Sequence, residues 1–83
     1  MKYRITTINP DGTERIDLMP DRPDLKYMQE AVGGYIEKVP AVKKEAYVNE
    51  EGRMKGLAPN LRGMQVIEWP GDYPLVGSIL IIE

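Results

Sequence analysis

MQEAVGGYIEKVP, Met28 to Pro40, is the stretch on which the fold turns. Its opening residues complete an apolar stripe. Leu25, Met28, Ala31 and Val32 recur at spacings of three and four, which puts them on one face of a helix. Gly33 and Gly34 interrupt that pattern where a left-handed residue commonly stops a helix. Tyr35 to Val39 then reads as a strand, closed by Pro40. One helix among the five to seven short strands that the chain offers implies an α+β domain with the helix packed on a mostly antiparallel sheet.

Working outward supplies the rest of that sheet. PDRPD, Pro20 to Asp24, starts the helix: Asp21 or Asp24 can cap it, and Pro23 is tolerated in a first turn. The spacing predicts a helix from Pro23 to Val32. Upstream, MKYRITTI alternates, with Tyr3, Ile5 and Thr7 on one face and Arg4, Thr6 and Ile8 on the other. NPDG is a turn signal, and TERIDLM reads as its return strand, which predicts a β-hairpin over residues 2–19. Downstream, a second hairpin is expected. Glu45 to Asn49 goes out, Glu50-Glu51-Gly52 turns with positive φ at Gly52, and Arg53 to Lys55 comes back. LAPNLRG reads as a loop or a single helical turn, MQVIEW as a short strand, and PGDYP as a turn-rich loop. LVGSILIIE closes the chain as an apolar strand without alternation, which predicts burial on both faces. The expected architecture is a single domain over residues 1–83. It has one main helix on a small, mostly antiparallel sheet with β-hairpins, and the helix stripe lies against Ile79 to Ile81.

Composition narrows the chemistry. A chain of 83 residues buries a modest core. It has no cysteine, hence no disulfide, and no histidine, hence neither the usual zinc sites nor the commonest general base. No cofactor and no metal site are expected; Glu37, Glu50 and Glu51 are the carboxylates nearest to one, without a dedicated loop to hold an ion. The net charge of −2, from 11 basic and 13 acidic residues, is unlike that of a protein that binds nucleic-acid polymers. No apolar run approaches a membrane span, and MKYRITTINPDG lacks the apolar region of a signal peptide, so a cytoplasmic protein is expected. A small core without staples favours a homo-oligomer.

Several segments carry a resemblance. Met28, Gln29, Val32 to Glu37, Val48 to Gly52, Lys55 to Leu57, Pro59, Asn60, Arg62, Val76 and Gly77 together resemble a family of small uncharacterised domains from bacteriophages and mobile elements. The similarity spans roughly residues 25–82, and Gly63 stands where the family pattern suggests a larger residue. It implies a phage origin, and so a place in the cytoplasm of an infected bacterium, with no established activity.

Two clusters are candidate sites, each with a plainer alternative. The glycines are read first as a helix cap, so a ligand role there would rest on Gly34, which lets a ligand reach the backbone, and Tyr35, which can stack on a flat ring. They follow a helix, whereas a phosphate loop precedes one. NEEGRMKGLAPNLR is either a solvated hairpin or a binding loop. In the second case Arg53, Lys55 and Arg62 neutralise phosphate and Asn60 reads a base or ribose edge. Trp69 is expected to be a core or interface anchor.

These parts make up the first functional expectation: a non-enzymatic binding protein that sequesters a small nucleotide, by analogy a cyclic immune signal, as phage anti-defence proteins do. Its ligand would sit where the Gly34-Tyr35 corner meets the loop from Arg53 to Arg62, within or across subunits. The alternative is a protein-interaction module that inhibits or redirects a host protein, with the apolar last strand pairing edge to edge.

Overall fold

The computed structural model describes residues 2–40 and 42–83. In chain order the elements are β1 (Tyr3–Ile8), β2 (Glu14–Met19), α1 (Leu25–Val32), β3 (Ile36–Lys38), β4 (Glu45–Asn49), α2 (Leu61–Val66) and β5 (Ile79–Ile82). The strands form one five-stranded sheet in the order β2-β1-β5-β4-β3, with every neighbouring pair antiparallel. The domain is therefore α+β, with two helices among the described residues rather than one.

The first hairpin forms as expected, in a register that sets Tyr3 opposite Met19 and Ile8 opposite Glu14. Gly12, at φ +89°, makes its turn. Asp24, not Asp21, caps α1: its carboxylate accepts the Tyr27 N–H at 2.9 Å, so the helix begins at Leu25 rather than Pro23. Gly33 ends it in the left-handed region at φ +79°.

β5 sits in the middle of the sheet, and all of Ile79–Ile82 is buried. Its side chains alternate between two cores. Leu80 and Ile82 join Ile5 on one face under Met28 and Val32 of α1. Ile79 and Ile81 join Ile8, Ala46 and Val48 on the other face, under Ile67 and Leu75. The stripe of α1 was expected on Ile79 to Ile81 and meets only alternate positions, because a strand cannot turn consecutive residues to one side. Leu25 remains exposed. With β1 and β4 on its flanks, β5 also has no free edge, which overturns the expected edge-to-edge pairing of the last strand.

The second hairpin does not form. β4 pairs with β3 and β5, and residues 50–56 fold into successive turns instead of returning as a strand. Lys55 N–H donates to Glu51 O at 2.9 Å, and Leu57 N–H to Gly52 O at 3.0 Å. Gly52 is not among the glycines with positive φ. It is needed for space: a Cβ there would stand 2.9 Å from Val76 Cγ2. MQVIEW is not a strand either. Its first residues complete α2, and the helix closes where Trp69 N–H reaches Met64 O at 3.0 Å across Glu68, a non-glycine residue at φ +54°. Helical spacing turns Met64 and Ile67 to the same side, against the sheet. Gly63 is small for a reason. A Cβ would lie 2.6 Å from Ile79 Cδ1 and 2.9 Å from Asn60 Oδ1.

Candidate functional site

The predicted site residues separate into three places. Asn60 is in the core. It is fully buried and caps α2. Its Nδ2 donates to Ile8 O at 2.7 Å and to Gly77 O at 2.8 Å, and its Oδ1 accepts the Gly63 N–H at 2.9 Å. Both amide hydrogens are committed and no edge faces solvent, so the expected role in reading a base is not available to it. Arg62, its near neighbour, is exposed on α2.

Gly34 and Lys55 do come together. A Cβ at Gly34 would lie 3.3 Å from Lys55 Nζ and 3.0 Å from Asn49 Nδ2. Tyr35, next in the chain, is exposed, and Lys55 stands 3.9 Å from the Glu51 carboxylate. The glycine amides are occupied: Gly33 and Gly34 N–H both donate to Gln29 O, at 2.8 and 3.0 Å. The corner is assembled by Asn49, which the sequence did not single out. Buried at the end of β4, its Nδ2 donates to Val32 O at 3.1 Å and its Oδ1 accepts the Glu51 N–H at 2.8 Å. One side chain thus fixes the end of α1 to the start of the turns.

Arg53 points elsewhere, into a cleft of about 300 Å³ between β3, the turns after β4, and the segment from Tyr73 to Val76. Its guanidinium lies 4.0 Å from the centre of the Tyr73 ring. Tyr73 in turn meets Trp69 edge to face, with ring centres 5.4 Å apart. Trp69 Nε1 donates to Tyr73 O at 2.8 Å, which fixes the loop that carries both rings. Gly71 is required beneath the indole, since a Cβ there would fall 2.2 Å from Trp69 Cζ2. Stacking a cation over a ring face that is itself held from the side restricts all three groups.

The cleft's chemistry is mixed. Val48, Leu75 and Val76 supply apolar wall, while Glu37, Glu50 and Glu51 outnumber Lys38 and Arg53 among its charged residues. Met54, also on the wall, is 82% exposed. The sequence did carry a signal for this place: PGDYP combines turn residues with an aromatic directly after the chain's one tryptophan. Nothing local showed that Arg53 would meet it. Among the described residues, no helix is long and apolar enough to cross a membrane.

A family model described as "Domain of unknown function (DUF3846)" matches residues 1–83. No curated protein and no solved structure matches the chain.

Proposed function

We propose, for a chain that belongs to the DUF3846 family of domains of unknown function, that it is a non-catalytic binding module whose ligand is an extended segment of another protein. The segment seats an apolar side chain in the cleft beside Tyr73. The observation that carries this reading is the cleft's make-up: apolar wall, a fixed Arg53–Tyr73–Trp69 stack, and a charged rim in which carboxylates predominate. Protein interfaces favour aromatic and arginine anchors. The acidic rim suits an apolar residue flanked by lysine or arginine. It opposes a nucleotide, because each phosphate would face Glu37, Glu50 and Glu51 with Arg53 already engaged by Tyr73. On the resemblance to phage and mobile-element domains, the partner would be a protein of the bacterial host's cytoplasm.

Nucleotide sequestration keeps one specific support, the patch formed by Gly34, exposed Tyr35 and Lys55 Nζ. One pair of measurements separates the readings. Peptides selected from a displayed random library should share an apolar residue next to a basic one. Tyr73→Ala and Glu37→Lys should each weaken them at least about tenfold, the scale of a modest interface contact. Amide chemical shifts should move at Val48, Arg53 and Val76. A panel of cyclic and linear nucleotides should leave the spectrum unchanged. Nucleotide-induced shifts centred on Gly34 and Tyr35, with the nucleotide recovered intact after heat denaturation, would establish sequestration instead.

A further inference from the structure

The sheet ends in two strands of different character, β2 and β3. β3 is three residues long and carries Lys38; shortness and lysine both blunt an edge. β2 is six residues long and contains no lysine. Two of its side chains, Ile16 at 51% and Leu18 at 64% exposure, are apolar and open to solvent.

The hydrogen bonds of the first hairpin determine which backbone groups of β2 are free. Asn9 N–H donates to Thr13 O at 2.8 Å, and the register continues with Thr7 opposite Arg15 and Ile5 opposite Asp17. Bonded and non-bonded pairs alternate along an antiparallel ladder. Arg15 and Asp17 therefore bond to β1, while Glu14, Ile16 and Leu18 turn their N–H and C=O groups outward. The far side of β1 agrees. Arg4 and Glu83 exchange both of their bonds at 2.9 Å, so the even-numbered residues of β1 serve the β5 side. Side chains alternate with the same period. Asp17 faces α1, where its carboxylate accepts the Tyr27 hydroxyl, so Ile16 and Leu18 face the opposite side of the sheet.

We propose that β2 pairs antiparallel with β2 of a second copy of this chain, about a two-fold axis at Ile16, joining the two sheets into one. The outward groups of Glu14, Ile16 and Leu18 then meet in register: Ile16 bonds to the partner's Ile16, and Glu14 to the partner's Leu18. Between them, Arg15 falls opposite the partner's Asp17 and Asp17 opposite the partner's Arg15, in the closely spaced non-bonded pairs. The neighbouring symmetric registers are unfavourable. An axis at Arg15 sets arginine against arginine, and one at Asp17 sets aspartate against aspartate. The strand is thus self-complementary in charge at one register, and that register also brings together the exposed isoleucines.

The test is the molar mass in solution and its dependence on charge. At tens of micromolar, light scattering should give about twice the 9.4 kDa of one chain. Arg15→Glu places glutamate opposite aspartate, and Asp17→Arg places arginine opposite arginine. Each alone should raise the dissociation constant at least about tenfold, while an equal mixture should recover the dimer, because every cross-strand pair is again opposite in sign. Ile16→Lys, at a side chain 51% exposed, should also yield monomer, and it serves if Asp17→Arg fails to fold. A monomeric wild-type protein, or self-association unaffected by both Arg15→Glu and Ile16→Lys, would overturn the proposal.

Discussion

Replacing Asn60 with alanine strips three buried backbone groups of a partner at once: Ile8 O, Gly77 O and Gly63 N–H. A buried polar group left unsatisfied costs about 1–3 kcal/mol, and some of these groups keep a second partner, so Asn60→Ala is expected to lose about 3 kcal/mol of stability. A thermal melt followed by circular dichroism checks this; a melting temperature equal to wild type would mean that the capping network is dispensable. The residue also shows where sequence reading stops. Asparagine ahead of an apolar-periodic stretch is a helix-start signal, yet LAPNLRG reads equally well as a binding loop. Burial decides between them, and burial here comes from Ile8 and Gly77, which are remote in sequence. Gly33 is the opposite case. Its left-handed φ is a local property, and the apolar stripe ending at Val32 announces it.

Among the elements, α1 is bound to the sheet by packing from Met28 and Val32 and by two polar ties, Asn49 Nδ2 donating to Val32 O at 3.1 Å and the Tyr27 hydroxyl donating to Asp17 Oδ2 at 2.6 Å. Partial burial and the Asp17 carboxylate push the Tyr27 hydroxyl up to about 12. A raised pKa means that the neutral phenol is favoured in the folded state. The tie therefore contributes fully below the unfolded value near 10 and is lost as pH rises from about 10 to about 12. Tyr27→Phe should cost about 1 kcal/mol at neutral pH, less than a buried bond to a charged group because solvent reaches it. The difference between the two proteins in urea unfolding should shrink over that alkaline window. A difference that stayed constant to pH 12 would show that the hydroxyl adds nothing beyond packing. The elements that the sequence announced, the first hairpin, α1 and β5, each carry their signal within the element itself. Those it misread took their structure from distant partners. Arg53 to Lys55 look like a return strand until β3 and β5 are seen to occupy both sides of β4, and MQVIEW looks extended until its cap is found at Asn60.

For the molecule as a whole, a single sheet divides two cores, and β5 supplies alternate residues to each. The layers therefore cannot separate without breaking the same central strand, which predicts one cooperative unfolding transition, as in most small domains. Trp69 reports on the α2 side, where it packs against the core that contains Ile79 and Ile81. Met28 lies in the other core, under α1. Met28→Ala should cost about 2–5 kcal/mol. The Trp69 fluorescence midpoint in urea should fall as far as the far-ultraviolet circular dichroism midpoint, although the indole belongs to the opposite layer. A fluorescence midpoint left in place while the dichroism midpoint drops would show two independently unfolding layers. The same arrangement explains why the candidate cleft was out of reach from the sequence. Glu37, Arg53 and Tyr73 come from three separate segments, and only the position of β4 between β3 and β5 brings them to one side of the sheet. If the layers unfold together and the cleft binds a peptide as proposed, Met28→Ala should lower that binding only in proportion to the unfolded fraction, with unchanged affinity in the molecules that remain folded.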